Sequence, residues 1–130
     1  MRAPNPGVDP YDFILEKIDS VPHLEALVLL WNSRPVGWTS EELASRLYVP
    51  AERTTQVLRD LVRMQLIADS PTQPPKYSYV SKSPDQDDLL ASLDNAYRKD
   101  LVRISSMIHS KASSGVREFA RAFNLKQEKK

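Results

Sequence analysis

Residues 39–67 read TSEELASRLYVPAERTTQVLRDLVRMQLI, and this stretch decides the fold. Thr39 and Glu42 have the spacing of a capping box, in which the hydroxyl accepts from the glutamate amide and the carboxylate accepts from the threonine amide. Proline is favoured where a helix opens, so Pro50 starts a second helix after a turn at Tyr48. That helix leads directly into a strand. The pattern is typical of a helix-turn-helix followed by a wing.

The flanking residues predict a small helical core around this motif. Pro10, capped by Asp9, opens an N-terminal helix. A following helix buries one apolar face, formed by Leu24, Leu27, Val28 and Trp31. Residues 36–38 are a short strand, and residues 66–80 form a β-hairpin with three prolines near its tip.

These elements predict a mainly α fold with a small β-hairpin wing. It is a winged helix-turn-helix with an N-terminal helix and a long C-terminal helix. We expect a flexible arm over residues 1–9 and a winged helix domain over residues 10–82. Residues 83–130 are predicted to be a C-terminal helical segment for dimerisation or interaction.

The C-terminal segment contains a predicted helix over residues 85–112. One side of it carries an apolar stripe spaced close to the helical period, made of Leu90, Leu93, Tyr97, Leu101, Ile104 and Ile108. We expect this stripe to pair with a second copy of the chain in a two-fold dimer, with Phe119 and Phe123 contributing. The alternative is that the helix folds back on its own domain and covers the N-terminal helix.

Composition restricts the function further. The chain has 130 residues, 27% charged, with a net charge of +1, which is less basic than is usual for a dedicated nucleic-acid binder. It has no cysteine, only two histidines (His23 and His109) and no glycine-rich phosphate loop, so we expect no metal, no cofactor and no catalysis. We also expect a cytoplasmic location, because residues 1–10 lack the apolar core of a signal peptide and no apolar run could span a bilayer.

Residues 22–80 resemble the winged helix-turn-helix regulators, particularly the MarR-like and PadR-like families of bacteria. The resemblance rests on the 39–67 stretch, and the long helix after the wing is similar to the dimerisation helix of those families. It implies a dimeric, DNA-binding transcriptional regulator. One position departs from the pattern, because Tyr48 stands where glycine commonly accepts a positive φ. Either Tyr48 is strained there or the turn has a different shape.

If DNA is bound, the second helix of the motif is the recognition helix, and its N-terminal half enters the major groove. Arginine can pair bidentately with guanine, and glutamine with adenine. Later arginines on the same helix, the start of the supporting helix and the wing would contact the backbone. The predicted DNA-binding residues are therefore Ser40, Arg53, Thr55, Gln56, Arg59, Arg63, Lys76 and Tyr77.

Two alternatives remain open at this point. Acidic residues such as Glu52 and Asp60 would repel phosphate, so the same fold could be a protein-interaction adaptor that does not bind DNA. The aromatic residues could line an effector pocket between the domain and the long helix, although core packing is the simpler use for them. These residues are Tyr11, Trp31, Trp38, Tyr48 and Tyr97.

Overall fold

A computed structural model of the chain describes residues 9–111. This part is mostly helical with one three-stranded antiparallel sheet in the order β1-β3-β2, and it confirms the predicted fold class. Within the described residues the last helix, α6, begins at residue 101 and continues through residue 111. The preceding elements are α1 (Pro10–Lys17), α2 (Val21–Ser33), β1 (Trp38–Thr39), α3 (Ser40–Leu47), α4 (Ala51–Arg63), β2 (Ala68–Asp69), β3 (Lys76–Ser78) and α5 (Pro84–Lys99).

Helix starts follow the capping signals in the sequence. The amide of Glu42 donates to Oγ1 of Thr39 at 3.1 Å, and the amide of Thr39 donates to Oε1 of Glu42 at 2.9 Å. The predicted capping box is thereby confirmed. At the starts of α1, α2 and α5, side-chain oxygens of the N-cap residues accept hydrogen bonds from amides of the first turn; these residues are Asp9, Ser20 and Ser83.

The turn between α3 and α4 places Tyr48 in the left-handed region, with φ 57° and ψ 42°. Its amide and that of Val49 both donate to the carbonyl of Ala44, which closes the end of α3. Tyr48 therefore adopts the left-handed conformation that glycine commonly takes at this position, although its side chain is bulky. The Tyr48 side chain is 94% exposed, so burial does little to offset this strain.

We expect Tyr48→Gly to stabilise the protein by about 0.5–1 kcal/mol. Relief of the left-handed strain, about 1–2 kcal/mol, outweighs the added freedom of glycine in the unfolded chain, about 0.4–1 kcal/mol. Ser45→Gly is the matched control, because Ser45 is exposed within α3 and has no positive φ to relieve. Urea unfolding should show opposite signs for the two variants, and equal destabilisation by both would refute the strain at Tyr48.

One hydrophobic core includes residues from every helix of the described part. Leu24, Leu27 and Leu30 of α2 lie at its centre and have no exposed surface. Around α2 it contains residues such as Ile14 of α1, Leu43 of α3, Leu58 of α4, Leu93 of α5 and Ile108 of α6. The winged helix elements and the C-terminal helices thus share one interior.

The predicted C-terminal helix over 85–112 is interrupted. At Asp100 the backbone leaves the helical region (φ −131°, ψ 40°), which separates α5 from α6. The Asp100 carboxylate accepts a hydrogen bond of 2.7 Å from the hydroxyl of Tyr11 in α1. Its carbonyl accepts from the amide of Ile104 at 2.9 Å, within the first turn of α6. The break is therefore held by a contact with a residue distant in sequence.

The apolar stripe of α5 and α6 is buried inside the chain, which corrects the predicted dimer interface. Leu90 and Leu93 are completely buried, and Ile104 and Ile108 are each 1% exposed. Of the six stripe residues, only Tyr97, which is half-buried, and Leu101, which is 43% exposed, have side chains that a second copy of the chain could contact. The structure instead agrees with the alternative given in the sequence analysis, in which the C-terminal helix folds back on its own domain. Phe119 and Phe123 lie outside the described residues, as does most of the predicted arm over 1–9.

Lys111, the last described residue of α6, contacts the end of α1. Its ammonium group donates to the carbonyls of Ile14 and Leu15 at 3.2 and 2.9 Å, and also to that of Ile18. These carbonyls lie in the last turn of α1, where a positive charge is favourable. Within residues 9–111, no helix combines the length and the apolar composition needed to cross a membrane.

Candidate nucleic-acid interface

Helix α4 has one buried and one solvent-facing side. Its inner side chains, Thr54, Val57, Leu58 and Leu61, have no exposed surface. The Thr54 hydroxyl is satisfied by the carbonyl of Pro50 at 3.1 Å. This side is fixed against the core, so α4 can act as a rigid platform for its outer residues.

The outer side of α4 brings together four of the predicted DNA-binding residues. Arg53, Gln56, Arg59 and Arg63 are all exposed. Thr55, in contrast, is half-buried, and its hydroxyl donates to the carbonyl of Ala51 at 3.0 Å. Its donor is therefore already used within the helix. We call the exposed set Arg53, Gln56, Arg59 and Arg63 the α4 face.

Asp60 links two members of the α4 face and was not among the predicted site residues. Its Oδ1 accepts from Nε2 of Gln56 and from Nη2 of Arg63, each at 3.0 Å. Its Oδ2 lies 2.8 Å from Nε2 of His23 in α2. Gln56 lies four residues before Asp60 and Arg63 lies three residues after it, and residues at these spacings are neighbours on a helix surface. These two contacts could therefore have been predicted from the sequence.

The environment of Asp60 favours its charged form. Burial alone would raise the pKa of this carboxyl. The hydrogen bonds from His23 and Gln56, together with the charges of His23 and Arg63, outweigh burial and hold the pKa below its usual value. A negative charge therefore persists at the centre of the α4 face at neutral pH.

The remaining predicted contacts lie on the supporting helix and the wing. Ser40 is the first residue of α3 and is half-buried, whereas Lys76 opens β3 and is exposed. Tyr77 is only 6% exposed, which contradicts its assignment as a DNA contact. Residues two apart in a strand share a face, and Tyr77 points into the core with Tyr79. Of the two predicted wing contacts, Lys76 is thus the one that faces solvent.

Tyr79 packs on the end of α2. Its ring meets that of Trp31 edge to face, with 5.1 Å between centroids. The Tyr79 hydroxyl donates to Oδ1 of Asp87 at 2.6 Å. Burial and this carboxylate raise the pKa of Tyr79 far above its usual value. The segment after the wing is therefore joined to both α2 and α5.

A cavity of about 510 Å³ lies between α2, the end of α3 and α5. Two of the five aromatic residues suggested for an effector pocket, Tyr48 and Tyr97, line it. The others are used elsewhere: Trp31 packs on Tyr79, the Trp38 indole donates to Ser33, and the Tyr11 hydroxyl donates to Asp100. Charged residues of both signs also line the cavity, namely Glu25, Arg46, Asp94 and Arg98.

Tyr97 makes the fold sensitive to alkali. Its hydroxyl donates to Oε2 of Glu25 at 3.1 Å, and burial together with this carboxylate raises the pKa of Tyr97 to about 12. Because an unfolded tyrosine has a pKa of about 10, the unfolded chain loses this proton first. The contribution of Tyr97 to the free energy of unfolding is therefore fully present below about pH 10 and is lost as the pH rises toward 12.

Tyr97→Phe should reduce this alkaline loss of stability. We expect the free energy of unfolding, measured in urea at about pH 8 and about pH 11, to fall less steeply between the two in the variant. Tyr48→Phe is the control, because Tyr48 is exposed and should leave the slope unchanged. The same slope in wild type and Tyr97→Phe would contradict the link between Tyr97 and Glu25.

Solved structures of transcriptional regulators share the fold of this chain. The transcriptional regulator Tm0710 from Thermotoga maritima superposes with a TM-score of 0.53 at 11% identity, over 92% of this chain and 84% of that one. MepR, a transcription regulator of the Staphylococcus aureus multidrug efflux pump MepA, superposes with a TM-score of 0.52 at 15% identity, over 87% of each chain.

A structure of S. aureus MepR in complex with DNA also shares the fold. It superposes with a TM-score of 0.53 at 17% identity, over 81% of this chain and 88% of that one. No protein-family model and no curated protein matches the sequence. At these identities the likeness is one of fold, and the function has to be argued from the α4 face.

Proposed function

We propose that this protein is a cytoplasmic, DNA-binding transcriptional regulator that places α4 in the major groove. The observation that carries the proposal is the α4 face: three arginines and a glutamine are exposed on one rigid helix whose other side is buried in the core. An arginine and a glutamine are the side chains that pair bidentately with guanine and adenine. The shared fold with a regulator solved on DNA supports the same orientation.

The proposed roles follow position along α4. Arg53 and Gln56 lie in its N-terminal half, the part of a recognition helix that meets base edges. Arg59 and Arg63, one and two turns further on, reach phosphates. Lys76 at the wing and Ser40 at the start of α3 add backbone contacts on either side.

The first test is direct binding. Wild-type protein should bind a labelled mixed-sequence duplex of about 30 bp, roughly three helical turns, at low salt, as measured by fluorescence anisotropy. Nonspecific binding rests on phosphate contacts and needs no knowledge of the operator. No binding to any duplex at low salt would refute the proposal.

The second candidate is an adaptor that binds protein through the same surface. The observation in its favour is the charge of α4, where Glu52 and Asp60 stand among the arginines and Asp60 already pairs with Arg63. Such a surface suits a partner of mixed charge better than a phosphate backbone. Absence of DNA binding with the fold intact is the result that this candidate predicts.

We also keep homodimerisation as a proposal, with a changed interface. The buried stripe of α5 and α6 is occupied, so self-association would use side chains that remain exposed, such as Leu101 and Val102 at the start of α6. These are 43% and 82% exposed. A two-fold dimer would present two α4 faces to DNA. Sedimentation at tens of micromolar tests it, and a monomeric mass would contradict it.

A further inference from the structure

A negative charge at the position of Asp60 is unfavourable for a surface that binds DNA. Asp60 sits within the α4 face, and its environment keeps it ionised. A carboxylate there repels phosphate and lowers affinity for any duplex. Its side chain is only 21% exposed, however, so most of it is turned toward the protein. This orientation indicates a role within the molecule.

Toward the core, Asp60 is anchored on a buried histidine. His23 is 3% exposed, and its Nε2 lies 2.8 Å from Oδ2 of Asp60. On the other side of the ring, Nδ1 lies 2.5 Å from Oγ of Ser20, the N-cap of α2. A carboxylate can only accept, so Nε2 carries a proton and donates to Asp60, while Nδ1 shares a hydrogen bond with the Ser20 hydroxyl.

Toward the surface, the same carboxylate holds two side chains of the α4 face. Gln56 lies one turn before Asp60 and Arg63 lies about one turn after it, and both donate to Oδ1. Glutamine and arginine are long side chains that lose much rotational freedom when they are fixed. The anchored carboxylate restricts both before any ligand arrives.

We infer that Asp60 is a positioning residue: fixed by the buried His23, it orients Gln56 for sequence-selective contact with a base and Arg63 for contact with a phosphate. The inference rests on the proposed function and adds a specificity device to it. Preorganised side chains lose less conformational freedom on binding, so a DNA sequence that matches their fixed positions is bound more tightly relative to one that does not. The negative charge of Asp60 lowers the affinity for all duplexes, while the fixed side chains increase the difference in affinity between correct and incorrect sequences.

His23 allows positioning to be separated from charge. His23→Leu removes the anchor but leaves the Asp60 carboxylate in place. His23→Gln is the matched conservative variant, because a glutamine amide can still donate to that carboxylate. If Asp60 were only a surface charge, neither variant would alter the α4 face. Thermal unfolding establishes that each variant is folded before it is compared.

The first readout needs no DNA. The side-chain amide of Gln56, observed by ¹⁵N NMR, should have restricted motion on the ps–ns timescale in wild type and in His23→Gln. In His23→Leu it should be mobile. If His23→Leu does not fold, Asp60→Ala serves instead and should release Gln56 as well. An equally restricted amide in wild type and variant would overturn the inference.

The second readout is sequence preference, with a pool of duplexes that carry a randomised core as the probe. After selection on wild type, the enriched duplex should bind more tightly than a scrambled one. His23→Leu should lower that ratio by roughly 3–10-fold, as expected when one or two side chains lose preorganisation. His23→Gln should restore most of it. Asp60→Ala should lower the ratio while raising affinity for the scrambled duplex.

The outcomes separate the two claims. If wild type binds no duplex, the proposed function fails, and the specificity role of Asp60 fails with it. If wild type selects a sequence and His23→Leu selects it equally well, the inference alone is overturned. A ratio that falls in His23→Leu and returns in His23→Gln supports both.

Discussion

Replacement of Leu93 by alanine should destabilise the protein by about 2–5 kcal/mol, the usual effect of truncating a buried leucine. Leu93 has no exposed surface and lies in the same core as α1 and α2. That loss is a large share of the stability of a small domain. Urea unfolding measures it, provided that the variant still folds at low temperature.

Leu15→Ala is the matched control for Leu93→Ala. It makes the same chemical change, but Leu15 lies in α1 and is 45% exposed. We expect a loss below about 1 kcal/mol. If the stripe of α5 instead formed a dimer interface, the melting temperature of wild type would rise with protein concentration and Leu93→Ala would remove that dependence. That result would contradict the intramolecular core.

The second large effect is expected on DNA affinity. Arg53→Ala should weaken binding to the preferred duplex by about 1–3 kcal/mol, which corresponds to roughly 5–150-fold, since it would remove the proposed bidentate base contact. Arg59→Ala should weaken binding to all duplexes alike and reduce the salt dependence by about one counterion. Combined, the two should be close to additive, because different DNA groups are lost.

Arg103→Ala controls for net charge. Arg103 is exposed on α6, with its guanidinium 4.7 Å from the ring centroid of Tyr11, and its removal changes the overall charge by the same amount as each single variant. We expect little change in affinity for any duplex. Equal weakening by Arg103→Ala and Arg53→Ala would show that binding follows overall charge and not the α4 face.

The parts of the fold that the sequence predicted have local causes. The capping box of Thr39 and Glu42 and the start of α4 directly after Pro50 each depend on residues within a few positions of one another. The order of helices and strands followed from these signals. The solvent-facing position of Arg53, Gln56, Arg59 and Arg63 followed from helical periodicity.

The parts that could not be predicted depend on contacts between distant residues. The break at Asp100 is held by Tyr11, 89 residues away, and the anchor of Asp60 is His23, 37 residues away. An apolar stripe has the same pattern whether it meets another subunit or its own domain. The error at Tyr77 is different, because the alternation of Tyr77 and Tyr79 indicated that both side chains share the inward face.

Salt dependence of binding by wild type to a mixed-sequence duplex tests the central claim most directly. The proposed phosphate contacts are Arg59, Arg63 and Lys76, so each chain should release about three counterions and give a slope of about −2.7 in log K against log salt concentration. The slope should become about −1.8 in Arg59→Ala. A slope near zero, or one that Arg59→Ala does not change, would contradict binding of DNA through α4.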